Sequence, residues 1–269
     1  MMHSRRSPGR PQSERATEII NILAHRGAMG VMDLAGSLHC SPATVRRELK
    51  ILEGQGVALR RHHGSVSLER TDLGVRFEAE QIAEYGAKVA IAKLLVAFLP
   101  EGATIGLNGG TTTTLVARAI AAEKPSVRVV TNAVNIAYEL AQEGLDVVVV
   151  GGHVGRPNFE STGPLALGTL AGLHMDFAIL GAEGADREFG FSTSAEQEAA
   201  VAVGFRRVAD HVIVAIDHTK LRRRALFRML RNEEVDYLAA DVAEGSSQPW
   251  DGLAAAMETE RAVVWKVGS

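Results

Sequence analysis

The sequence is poor in cysteine and in long apolar runs. One cysteine in 269 residues allows no intramolecular disulfide and does not supply the paired thiols of a structural zinc site. No apolar run approaches the roughly 18 residues of a membrane span, and no apolar signal-peptide core follows the basic N-terminus. We therefore expect a cytoplasmic protein that has no contact with membranes and uses neither a metal nor another cofactor.

Charge is distributed unevenly along the chain. Residues 1–70 contain 11 basic and 6 acidic side chains, whereas the remaining 199 residues contain 18 and 26. A basic first quarter on an acidic remainder favours a polyanion-binding module that is joined to a domain with a different task.

Three short helices are predicted near the N-terminus. Apolar residues at helical spacing end before Gly27, and a second helix is predicted over residues 32–38. Ser41 and Pro42 form a strong helix start, so a third helix is predicted over residues 42–53. The tight turn before it, and the small polar and basic residues near its beginning, are typical of a helix-turn-helix motif.

The candidate DNA contacts lie on the third helix and on a basic hairpin. Two strands are predicted at residues 57–60 and 66–68, and the residues between them suit phosphate contact. On the helix, arginine can bridge guanine O6 and N7 in the major groove of double-stranded DNA. The alternative is an ordinary three-helix packing unit with a charged exterior. The predicted DNA-binding residues are Ser41, Thr44, Arg46, Arg47, Lys50, Arg60, Arg61 and His62.

The rest of the chain alternates strands with helices. Strand-length apolar runs occur at residues 103–107, 127–131, 146–150, 177–181, 212–216, 237–240 and 262–267. The helices predicted between or beside them include residues 196–209 and 253–258. Such alternation predicts an α/β domain, in which helices cover both faces of a mostly parallel sheet and a ligand binds at the C-terminal ends of the strands.

Glycine and small polar residues follow most of these strands. Residues 108–114 follow the first strand and begin a helix, where free N–H groups and hydroxyls suit a phosphate or another anion. Neither a Walker loop nor a GxGxxG pattern is present, so nucleotide binding is disfavoured. A simple role as turn residues remains the alternative. The candidate effector-binding residues are Asn108, Gly109, Gly110, Thr111, Thr112, Thr113, Asn132, Gly151, Gly152, Gly181, Asp217 and Lys220.

Both parts of the sequence resemble the DeoR family of bacterial transcriptional regulators. In the first part, SPATVRREL at residues 41–49 and RRHHG at residues 60–64 resemble the family's S-x-x-T-[IV]-R-R-D-L helix and wing. In the second part, the matching segments are NGGTT at 108–112, VTN at 130–132, GG at 151–152, DFAILG at 176–181 and DHTK at 217–220. The family's effector domain is similar in fold to ribose-phosphate isomerases.

The resemblance implies a winged helix-turn-helix domain and a sugar-phosphate sensor domain. We divide the chain into a disordered basic arm (1–11), the DNA-binding domain (12–68), a linker (69–87) and the sensor domain (88–269). The implied function is sequence-specific regulation, with expected repression of a carbohydrate-metabolism operon and DNA affinity modulated by a phosphorylated sugar. A homo-dimer or homo-tetramer on repeated half-sites is expected, because a single motif buries a modest interface.

Two departures from the family pattern concern the ligand. Asn108 stands where many relatives carry aspartate, and Ala202 stands where they often carry lysine. These departures leave open an effector domain that only mediates oligomerisation. An isomerase-like enzyme is a separate alternative. Asparagine cannot act as the carboxylate base that the enzyme would need, although Glu160, Glu183 and Asp186 remain candidates.

Overall fold

The computed structural model describes residues 15, 18–19, 22–23, 28–54, 59–62, 65–68, 84–124, 126–155, 158–241 and 253–267. The chain divides into two units, residues 1–86 and 87–269. The predicted arm over residues 1–11 lies outside the described residues, as does most of the predicted linker over residues 69–87. Within the described ranges, no helix has the length and apolar character that crossing a membrane requires.

The first unit contains a helical pair and a small antiparallel sheet. Its labelled elements are α1 (Val31–Ser37), α2 (Pro42–Gly54), β1 (Met29–Gly30), β2 (Leu59–His62) and β3 (Ser65–Leu68), with the strands in the order β1-β3-β2. The backbone N–H of Thr44 donates to the hydroxyl of Ser41 at 3.1 Å, so Ser41 caps α2 as predicted. The buried apolar side chains are Ile19, Leu23, Leu34, Ala35, Leu38, Val45, Leu49, Leu52 and Val66.

The turn of the predicted hairpin is shorter than the sequence indicates. Arg61 and His62, which we expect in the turn, belong to β2 and pair with Val66 and Ser65 of β3. Antiparallel pairing extends the strands because each added pair joins the ladder of backbone hydrogen bonds.

From residue 85 onward the structure alternates helices and strands. The helices are α3 (Tyr85–Phe98), α4 (Thr111–Glu123), α5 (Val134–Gln142), α6 (Pro164–Ala171) and α7 (Glu196–Val208). The strands of the large sheet are β4 (Thr104–Leu107), β5 (Arg128–Thr131), β6 (Asp146–Val149), β9 (Met175–Leu180), β12 (Ala209–Ala215), β14 (Tyr237–Asp241), β15 (Ala254–Glu258) and β16 (Ala262–Lys266). Shorter strands are β7 (His153–Val154), β8 (Ser161–Thr162), β10 (Gly184–Asp186), β11 (Gly190–Thr193) and β13 (Phe227–Leu230).

The large sheet is mostly parallel, as predicted. Its order is β15-β16-β14-β12-β9-β4-β5-β6, and the neighbours from β14 to β6 all pair in parallel. From β4 the chain proceeds through α4 and α5 to β5 and β6, whereas from β9 it proceeds through α7 to β12 on the other side. Because such crossovers are right-handed, the helices of these two groups cover opposite faces. The order therefore reverses between β4 and β9, where a sheet of this kind opens a crevice for a ligand.

The predicted helix over residues 253–258 is wrong. Residues 254–258 form β15, an edge strand that pairs antiparallel with β16. The backbone N–H of Thr259 donates to the carbonyl of Ala262 at 2.8 Å and closes the turn between the two strands. Pairing with β16 overrides the helix preference of the three alanines, because helix propensity is a weak tendency that tertiary contacts readily exceed.

Candidate functional site

The basic side chains of α2 point away from the core of the first unit. Arg46, Arg47 and Lys50 are exposed, whereas Val45 and Leu49 are buried. A helix that buries one face and exposes arginine and lysine on the others has the arrangement that major-groove recognition requires. The structure thus leaves these three predicted DNA-binding side chains accessible.

The remaining predicted DNA contacts are placed differently. The hydroxyl oxygens of Ser41 and Thr44 lie 2.8 Å apart, so these side chains contact each other at the start of α2. Arg60, Arg61 and His62 lie in β2, but their side chains are outside the described part of the chain.

Glu48 of α2 faces the core. It is 3% exposed, and its Oε1 accepts a hydrogen bond from Nε of Arg15 at 3.4 Å. Arg15 lies in the helical segment that precedes α1. This ion pair ties α2 to that segment, so Glu48 positions the helix and does not face DNA.

Asn108 closes the point at which the strand order reverses. Its Nδ2 donates to the carbonyl of Gly181 at 3.2 Å, and its Oδ1 accepts from the N–H of Gly181 at 2.8 Å. Asn108 follows β4 and Gly181 follows β9, so the two hydrogen bonds join the ends of these strands. The Asn108 amide therefore connects the strands, since both of its polar atoms are engaged.

The beginning of α4 lies beside this connection. Thr111, Thr112, Thr113 and Thr114 are all buried, and the hydroxyls of Thr113 and Thr114 donate to the carbonyl of Gly110. Gly110 has a φ of 141°, a conformation that favours glycine. The N–H groups of the first helical turn have no acceptor within the helix, so this end can bind an anion.

Asn132 and Glu160 form a buried polar corner next to that loop. Asn132 Nδ2 donates to Glu160 Oε2 at 3.2 Å and to the carbonyl of Ser161 at 3.0 Å. The N–H of Gly109 also donates a hydrogen bond to the Glu160 carboxyl. A methyl group at Gly109 would lie 2.6 Å from Glu160 Oε1, so only glycine fits there without a shift.

Glu160 is a buried carboxyl with a strongly perturbed pKa. Burial is the largest cause and repulsion from Glu198 the next, and together they raise its pKa to about 8. The hydrogen bonds from Asn132 and Gly109 favour the ionised form but do not offset these effects. Near neutral pH the Glu160 carboxyl is therefore mostly protonated, unlike an ordinary glutamate.

Gly151 and Gly152 differ in their surroundings. Gly152 has a φ of 147°, and a methyl group there would lie 2.6 Å from the carbonyl oxygen of Thr162. Gly151 is exposed, with open space around the position of a methyl group. Close packing against β8 accounts for Gly152, whereas the structure gives no comparable reason for Gly151.

Asp217 pairs with a lysine that the motifs do not indicate. Lys88 Nζ lies 3.9 Å from Asp217 Oδ2, and both side chains are almost fully buried. Asp217 also accepts hydrogen bonds from the backbone and hydroxyl of Thr219. Lys220, the last residue of the motif, is partly exposed. The buried cation beside Asp217, after the end of β12, is therefore Lys88 of α3.

Arg224 and Ala202 are not placed to bind a ligand. Arg224 is held by Asp186 and Glu188 at 2.8 and 3.0 Å, so it joins its loop to the β10–β11 hairpin. Ala202 is 1% exposed and lies in the apolar core. In the described part of the chain, no cluster of three or more histidine, cysteine or acidic residues is arranged to hold a metal ion.

Family models match both units. The DeoR-like helix-turn-helix domain matches residues 15–71, and the DeoR C terminal sensor domain matches residues 83–242.

Two transcriptional repressors are similar to this chain over most of their own length. The chain is 32% identical over 232 residues to the aga operon transcriptional repressor of Escherichia coli O157:H7. This alignment covers 85% of this chain and 86% of the relative. It is 30% identical over 240 residues to the glycerol-3-phosphate regulon repressor of Haemophilus influenzae, which covers 87% and 91%.

Solved structures are more distant. Ribose 5-phosphate isomerase A from Methanocaldococcus jannaschii covers 67% of this chain and 78% of its own at 14% identity, with a TM-score of 0.37. The delta subunit of eIF2B from Chaetomium thermophilum covers 86% and 91% at 14% identity, with a TM-score of 0.43. A likeness at this level says nothing about ligands.

Proposed function

The chain belongs to the DeoR family of DNA-binding transcriptional regulators, and we propose that it represses a carbohydrate-metabolism operon in response to a phosphorylated sugar. Its operator would be read by Arg46, Arg47 and Lys50, which α2 exposes. The backbone-contacting role of Arg60, Arg61 and His62 in β2 belongs to the same proposal. A protein with this task acts in the cytoplasm, where the DNA is.

One observation carries the effector part of the proposal. The beginning of α4 lies at the reversal of strand order, between the buried amide of Asn132 and the strand-end connection of Asn108 to Gly181. A helix N-terminus attracts an oxyanion, and buried amides and hydroxyls can bind the hydroxyls of a sugar. The proposed effector-binding residues remain Asn108, Gly109, Gly110, Thr111, Thr112, Thr113, Asn132, Gly151, Gly152, Gly181, Asp217 and Lys220, to which we add Lys88.

The names of the relatives support a phosphorylated metabolite. One is a repressor of the glycerol-3-phosphate regulon, and another is a repressor of the aga operon. Effector binding would change DNA affinity only if the effector binds the DNA-competent and DNA-incompetent states unequally. We further propose a homo-dimer or homo-tetramer, since two recognition helices on repeated half-sites multiply a modest single interface.

Binding to the DNA upstream of its own gene and neighbouring genes tests the proposal. The measurement is an electrophoretic mobility shift at fixed salt, because phosphate contacts make DNA affinity steeply dependent on ionic strength. Glycerol 3-phosphate and hexose and hexosamine phosphates are then titrated into the complex. We expect one of them to release the DNA, and the R46A/R47A double variant to show no selective binding.

Each part of the proposal has its own contrary result. If the protein binds a DNA site selectively but no phosphorylated sugar releases that DNA, the proposed effector class is contradicted and the DNA-binding role stands. Selective DNA binding that survives in the R46A/R47A variant would contradict the role of α2.

A further inference from the structure

Glu160 occupies a place at which an anionic ligand of this domain would be expected. Its carboxyl receives the Gly109 N–H and the Asn132 amide, two donors of the loops that follow β4 and β5. An oxyanion that enters in front of α4 needs donors of the same kind. Resting on the proposed function, we propose that the carboxyl of Glu160 competes with the effector's phosphate for the loop at Gly109.

The backbone holds Glu160 over this loop. Residue 160 forms an antiparallel bridge with Ala133, the N–H of Val134 donates to the carbonyl of Phe159 at 3.0 Å, and the N–H of Ser161 donates to the carbonyl of Asn132 at 2.7 Å. The two hydrogen bonds, which together make this bridge, fix the segment to the beginning of α5. The Glu160 carboxyl is therefore held near the loop at Gly109 whenever the second unit is folded.

The corner also contains a buried acceptor, Asn132 Oδ1, that lacks a hydrogen-bond donor among the described residues. Asn132 is completely buried, and its Oδ1 accepts no hydrogen bond from the described part of the chain. A buried polar atom without a partner is costly, and a ligand hydroxyl can remove that cost. This second, independent feature indicates that a ligand with hydroxyl donors binds beside Glu160.

Charge decides the outcome of the competition. Among the described residues, Glu198 of α7 repels the Glu160 carboxylate, while Asn132 and Gly109 contribute neutral donors. An ionised Glu160 repels a phosphate dianion, whereas the protonated carboxyl is neutral and can donate a hydrogen bond to a phosphate oxygen. Because its pKa is about 8, the competition strengthens as pH rises from neutral values.

The test measures oxyanion binding to the full chain at pH 7 and pH 9 by isothermal titration calorimetry. Sulfate serves as one probe because its charge is constant over this range, and glycerol 3-phosphate serves as the other. For the wild type, we expect the affinity to fall about tenfold between the two pH values, as a group with a pKa near 8 ionises. Glu160→Gln should remove this fall, and should bind about tenfold more tightly than the wild type at pH 9.

Two more variants separate charge from space. Glu160→Ala removes the competing side chain altogether, so it should bind both probes more tightly than the wild type at pH 9 and lose the pH dependence of the wild type. Glu143→Gln removes an exposed carboxylate at the end of α5 and should keep the pH dependence of the wild type. If Glu160→Gln fails to fold, the profiles of the wild type, Glu160→Ala and Glu143→Gln still provide the test.

The possible failures can be told apart. Equal binding of the probes by the wild type and by both Glu160 variants at pH 9 would overturn the competition and leave the proposed effector site standing. No binding by any variant at either pH would overturn both. Binding that appears only when Glu160 is neutralised or removed supports the competition.

Discussion

The two units of this chain display their functional side chains in opposite ways. In the first unit, Arg46, Arg47 and Lys50 are exposed on a helix whose other face forms the core. In the second unit, the candidate residues Asn132 and Asp217 are buried and bonded to other residues of the same unit. Reading DNA requires side chains that reach outward, whereas enclosing a small ligand requires polar groups that have already been taken out of water.

This difference separates binding from stability. An exposed arginine contributes little to the stability of the fold, so replacing it lowers the affinity for the ligand and leaves the fold intact. A buried amide or carboxyl supports the structure and the ligand together, so its replacement changes both. The following substitutions test this separation, beginning with the largest expected effect.

The R46A/R47A double variant should lose most of its DNA affinity. A well-placed bidentate contact contributes about 1–3 kcal/mol, so losing both arginines should weaken operator binding about 100-fold or more. Fluorescence anisotropy with a labelled operator measures the affinity, and thermal unfolding should be unchanged. A substantial fall in thermal stability would show that these exposed side chains also support the fold, which would break the comparison.

Glu160→Gln should alter how stability depends on pH. The folded protein keeps the Glu160 proton up to a pKa of about 8, whereas the unfolded chain releases it near the ordinary value of 4.5. Between these values the unfolded state binds fewer protons, so this group lowers wild-type stability as pH rises, by at most about 1.4 kcal/mol per pH unit. The amide does not titrate.

Thermal melts of both proteins at several pH values between 5 and 9 check this prediction. The stability of Glu160→Gln relative to the wild type should rise with pH up to about pH 8 and level off above it. Melting temperatures that run parallel over the whole range would mean that Glu160 has no raised pKa in the folded protein.

Asn108→Ala should destabilise the second unit by about 1–3 kcal/mol, because it leaves two polar atoms of Gly181 without their partner. Denaturant titration measures the change. Gln142→Ala, which removes an exposed amide that donates to the exposed Tyr138 hydroxyl at the end of α5, serves as the control and should change stability by only a few tenths of a kcal/mol, about the size expected for a surface substitution. If Asn108→Ala were as stable as this control, the connection between β4 and β9 would contribute nothing to the fold.

Lys50→Ala should have the smallest effect. Removing one phosphate contact should weaken DNA binding to a similar extent for all sequences and reduce the slope of log affinity against log salt by about 1. Anisotropy titrations at several salt concentrations provide the slope. A change in sequence preference with an unchanged slope would instead assign Lys50 to base recognition.

Much of the fold could be predicted because its signals are local. Ser41 and Pro42 mark the start of α2, and the apolar runs that end in glycine or small polar residues mark the parallel strands. The family assignment is confirmed by the matches to both units. The prediction of a helix over residues 253–258 was wrong because the alanines there show no pattern that distinguishes an edge strand from a helix.

The corner at Glu160 could not be predicted in this way. Its partners come from the loops after β4 and β5 and from α7, so no sequence spacing connects them. Lys88 did leave a signal: it precedes the buried residues Ile91, Ala92 and Leu95 at helical spacing. That spacing places the lysine on the buried face of α3, where a charged side chain needs a partner.

The connection between β4 and β9 also bears on the chemical ageing of the protein. Asn108 is followed by Gly109, and an asparagine before glycine is prone to deamidation, because the unhindered glycine nitrogen attacks the side-chain carboxamide. In the folded protein that carboxamide is held by Gly181 and the nitrogen by Glu160, so the two reacting groups are restrained. Each passage through the unfolded state releases them. There the glycine nitrogen can displace ammonia to form a succinimide, which water opens to aspartate or isoaspartate, so the Asn108–Gly109 junction of such a molecule carries a lasting chemical change from the unfolded state.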